Sequence, residues 1–138
     1  MVKWLVAAFL VIEAHFAASY IVPLDAQAKA TFGGLLGWGW PWAYGDNGLL
    51  GQIEPGSFPI LAFFVAATAA AVFMLAALSV VGIWVPRSWW RVLAVAAAVL
   101  SLFLMAGFFG PTKLLPIAAD LALLWTALTN WAPVAAAH

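Results

Sequence analysis

Long apolar runs separated by short polar or Gly/Pro-rich breaks dominate this chain, and their lengths match helices rather than strands. The first run covers about residues 4–22 and stops at Pro23, which is just enough chain to cross about 30 Å of hydrocarbon. A second, uncharged run covers about 59–84 and is the clearest span in the sequence. Third and fourth runs follow at about 92–109, ended by Gly110-Pro111, and at about 114–131, ended near Pro133. The pattern therefore predicts an all-α, integral membrane four-helix bundle forming a single domain over residues 1–138. Clusters such as Ala66, Ala67, Ala69, Ala70 and Ala76 provide the small surfaces that let membrane helices approach closely.

The long connection, residues 23–58, is too broken to span. Six glycines and one proline fall between positions 33 and 48, while Trp38, Trp40, Trp42 and Tyr44 are residue types that settle at headgroup level. A short interfacial helix is expected from about Asp25 to Leu36, with Asp25 near its start, and Gly45-Asp46-Asn47-Gly48 reads as a tight turn. Trp89 and Trp90 are expected to anchor the opposite surface. Beside them Arg87 and Arg91 form a basic turn able to hold a lipid phosphate, although basic residues also collect there simply through topology.

Composition sharpens this picture. The 138 residues are 67% hydrophobic and 7% charged, with a mean hydropathy of +1.10, so lipid is the expected solvent of the fold. Net charge is zero, which gives no reason to expect a nucleic-acid partner. The absence of cysteine excludes disulfides, thiolate metal sites and cysteine-held iron–sulfur clusters. Lys3, the apolar core that follows it and Ala26-Gln27-Ala28 are similar to a secretion signal, but the stretch is expected to stay as a span. Lys3, Arg87 and Arg91 on one side, against Lys29 and Lys113 on the other, favour both termini in the cytoplasm, in a bacterial inner membrane, with the Trp-rich loop outside.

Only Glu13, His15 and Asp120 are ionisable and well inside the runs, where each costs roughly 2 to 4 kcal/mol on insertion scales. His15 and Asp120 fall at similar depths, which predicts a His15–Asp120 hydrogen bond or ion pair. Glu13 lies two residues from His15 and so about 200° around the helix, on a different face. Its readings are a hydrogen-bonded structural acid, a proton or quinone site, or a contact with a partner subunit, with Ser19, Tyr20, Thr68 and Ser79 as candidate hydroxyl partners. His15 reads either as a satisfied interior imidazole or as the axial ligand of a haem or chlorophyll-type pigment. A bis-histidine haem within one chain is not expected, because the only other histidine is His138. The residues present no spaced metal-ligand set, phosphate-binding loop, nucleophile elbow or HExxH pattern, so no catalytic residues are assigned and no enzymatic activity of its own is expected.

One span, a long loop, and then three closely spaced spans with a short basic turn (Arg87 to Arg91) after Val81-Gly82-Ile83 together resemble the layout of the DoxX-like small four-helix membrane proteins. The Trp-rich loop from Trp38 to Tyr44 departs from that layout. The resemblance implies a membrane bundle linked to quinone-associated oxidoreductases, with quinone near Glu13 or His15. The leading expectation is a small integral subunit or accessory protein of a larger membrane complex, such as one of respiratory or photosynthetic electron transfer. A DoxX-like redox helper using Glu13 and a carrier of a small apolar ligand between the helices are the alternatives.

Overall fold

The computed structural model describes residues 1–18, 58–107 and 114–129. Among these residues it is all-helical, with four α-helices and no strand: α1 (Val2–Ala18), α2 (Phe58–Val81), α3 (Trp90–Gly107) and α4 (Leu114–Leu128), plus a 3-10 turn at Arg87–Trp89. The expected interfacial helix and most of the long connection lie outside the described residues. Two stretches, Leu61–Val81 and Arg87–Gly107, are long and apolar enough to cross a membrane, with mean hydropathies of 2.4 and 1.9, and Leu114–Leu128 is a shorter apolar helix.

Each helix packs on the next one in sequence, α1 on α2, α2 on α3 and α3 on α4, while α1 meets α4 along a much narrower strip. Small side chains make the close approaches possible. On α2 the buried residues include Ala62, Ala66, Ala69, Phe73, Ala76 and Ala77; on α3 they include Ala94, Ala97, Ala98 and Ser101. Their three- and four-residue spacing is the helical repeat, so one alanine-rich stripe on each helix receives its neighbour. Phe73, with no exposed surface, is the largest fully buried side chain among the described residues.

The end of α2 is set by local chemistry. Gly82 adopts φ 79°, and the amides of Gly82 and Ile83 donate to the carbonyls of Ser79 (3.1 Å) and Leu78 (2.9 Å), a left-handed cap that satisfies the last carbonyls of the helix. Glycine suits that position because a Cβ there would come within 2.6 Å of Arg87 Nε. The hydrophobic run continues to Trp84, but the helix ends at Val81, because the cap outranks apolar character. Trp84 itself takes φ 59° and is 93% exposed.

Two more bonds brace this turn. Ser79 Oγ donates to the Pro86 carbonyl at 2.6 Å, and Arg91 Nε donates to the Ala127 carbonyl at 2.8 Å. The second places a guanidinium against the C-terminal turn of α4, where it both satisfies a carbonyl and complements the helix dipole. It also fixes α3 and α4 as antiparallel neighbours, the start of one beside the end of the other.

Candidate functional site

The helical repeat decides which polar groups enter the bundle. On α1 the buried stripe is Ala7, Leu10, Glu13, Ala14 and Ala17, so Glu13 is carried inward with 1% of its surface exposed. His15 falls off that stripe and is exposed, its ring 6.3 Å from that of Phe16. On α4 the buried stripe is Pro116, Asp120, Leu123 and Ala127, which carries Asp120 inward with no exposed surface. On α3 the stripe brings in Ser101, 1% exposed.

These three side chains form the site. Glu13 and Asp120 lie within electrostatic reach of each other across the narrow α1–α4 strip. The Ser101 hydroxyl lies beside Asp120, yet neither Asp120 oxygen receives a hydrogen bond of ordinary distance and angle. Oε2 of Glu13 and both carboxyl oxygens of Asp120 are fully covered and without a hydrogen-bond partner. Buried oxygens of this kind are rare in folded proteins, and each costs about 1 to 3 kcal/mol or more when left unsatisfied. By helix rise, Ser101 stands roughly 9 Å before the end of α3 and Asp120 roughly 9 Å after the start of α4, a common level in the bundle.

No cation stands near them among the described residues. Lys3 sits in the first turn of α1, its Nζ 5.8 Å from the centroid of the Trp4 ring. Arg87 lies against Gly82, and Arg91 is bonded to Ala127. Nor do the described residues bring three or more histidine, aspartate or glutamate side chains together as a metal site.

The expected His15–Asp120 pair is therefore corrected. His15 turns out of the bundle while Asp120 turns in, toward Glu13 and Ser101. Two of the candidate hydroxyl partners of Glu13 are used elsewhere: Ser79 by Pro86, and Thr68 by the Phe64 carbonyl at 2.7 Å. Ser19 and Tyr20 lie outside the described residues, as do Trp38, Trp40, Trp42, Tyr44 and His138. Trp89 is 58% exposed, whereas Trp90 is 5% exposed and packs in the core, which corrects its expected role as a surface anchor. Helix α3 begins at Trp90 itself, so its indole falls on the same inward stripe as Ala94, Ala97 and Ala98. Ser101 was missed by sequence reasoning. The signal that finds it is its position on that stripe, at the level of Asp120.

No family model, no curated protein and no solved structure matches this chain. These comparisons give no support to the expected DoxX-like family.

Proposed function

We propose that this chain is an integral membrane four-helix bundle acting as a small subunit or accessory protein of a larger membrane complex, placed in a bacterial inner membrane with both termini cytoplasmic. The observation that carries this reading is how little of the most apolar helix the fold covers. Only 33% of the Leu61–Val81 window is buried, despite its mean hydropathy of 2.4. The uncovered surface includes Leu61, Phe63, Phe64, Met74 and Leu75, and α4 adds Leu114, Leu115, Leu121 and Trp125. A core helix of a water-soluble domain hides such side chains; a helix in a bilayer turns them to lipid or to other helices. Outward surface for packing is extensive, and polar groups inside are few, which fits a structural partner better than an enzyme.

The test is extraction and purification in mild detergent with chemical crosslinking, followed by mass spectrometry of proteins and lipids. Retention in alkali-washed membranes with co-purification of larger membrane subunits is the expected result. Release into the aqueous phase without detergent overturns membrane insertion, and a homogeneous particle of this chain alone overturns the subunit role. Quinone or pigment carried through the purification would instead support the redox-helper or pigment reading. Because the chain has no cysteine, single cysteines placed next to Lys3 and Arg87 report the side of the membrane directly by labelling with an impermeant thiol reagent.

A further inference from the structure

We propose that Glu13 and Asp120, beside the Ser101 hydroxyl, form a proton-exchange site inside the bundle.

Three covered carboxyl oxygens face a neighbourhood whose only described hydroxyl is that of Ser101, and they have no hydrogen-bond partner. A carboxylate can only accept hydrogen bonds, whereas a carboxylic acid also donates one, so a proton on either group supplies the donor that the site lacks. Among the described residues, the titratable groups of the four helices place no positive charge beside the pair. On α1 the other titratable residues are Lys3, ten positions away, and His15, which turns outward. Helix α2 has no titratable residue from Phe58 to Val81, α3 has only Arg91 at its far end, bonded to Ala127, and α4 has only Asp120. Two negative charges side by side in apolar surroundings without a counterion are strongly disfavoured, and removal of one charge by a proton relieves both costs.

The exchange is balanced simply. A proton leaves the O–H of one carboxyl for a water molecule or for the other carboxylate, one O–H bond breaking as another forms, with no electron transferred. A proton is favoured over a metal ion because the described residues provide no third ligating carboxyl or imidazole at this level. This inference goes beyond the subunit reading and can be passed or failed by the protein purified alone.

The test is labelling of the full chain in lipid vesicles with dicyclohexylcarbodiimide, which adds to carboxyl groups through their protonated form, read by peptide mass spectrometry across a pH series. The expected result is a single adduct per chain, on Glu13 or Asp120, which diminishes as pH rises and is absent with a water-soluble carbodiimide. In Glu13→Gln and in Asp120→Asn the remaining carboxyl loses its charged neighbour and gains an amide donor, so the pH of half-labelling moves down by about one unit or more. Absence of adduct on both carboxyls of the wild-type chain overturns the site without recourse to any variant. Unchanged half-labelling in both amide variants overturns the coupling, and protection by sodium chloride but not by choline chloride at fixed pH makes it a metal-cation site instead.

Discussion

The bundle treats its polar groups in two opposite ways. At the turn joining α2 to α3, the hydroxyl of Ser79, the Nε of Arg91 and the amides of Gly82 and Ile83 each meet a carbonyl at 2.6 to 3.1 Å. At the level of Glu13, Ser101 and Asp120, three carboxyl oxygens are covered and have none. The first region uses polarity to hold helices in place, and its loss costs stability. The second contributes desolvation cost without a compensating bond, so it does nothing to hold the helices together.

That contrast is open to direct attack through stability measurements, such as thermal unfolding in detergent followed by circular dichroism. The largest effect is expected from Arg91→Met, which removes a charge-assisted bond between α3 and α4 and should cost about 1.5 to 3 kcal/mol. Next comes Gly82→Ala, expected to cost about 1 to 2 kcal/mol because the left-handed cap disfavours a Cβ and the Arg87 side chain must move. Ser79→Ala should cost about 1 kcal/mol through the orphaned Pro86 carbonyl. Smallest of all, Glu13→Gln and Asp120→Asn should leave stability within about 1 kcal/mol of wild type or raise it, because no partner is lost. If the two amide variants instead unfold more readily than Arg91→Met, the contrast between the regions collapses and the carboxyls are structural.

Much of this was legible in the residues themselves. Apolar run length marked where the four described helices fall, and the 200° separation of Glu13 from His15 set the two on different faces of α1. Depth counting paired Asp120 with His15, but depth says nothing of direction around the helix axis. The His15–Asp120 pairing failed there, since the face of α1 that turns inward is chosen by Ala7, Leu10, Ala14 and Ala17 packing on their neighbours. Trp90 misled for a related reason. Adjacent to a basic turn, a tryptophan reads as a surface anchor, and only the start of α3 at that very residue shows that its indole joins the alanine stripe. Ser101 carried no signal until the stripe was known, because one serine among the alanines and leucines of α3 is unremarkable by composition.

The sequential meander also dictates an order of assembly. As the chain is made, α2 can dock on α1 and α3 on α2 while later helices are still being synthesised, since among the described residues every extensive contact is between one helix and the next described one. The α1–α4 strip is different: it joins the first described helix to the last described one and must wait for α4. Glu13 thus stands without its acidic neighbour until α4 has been made and has docked.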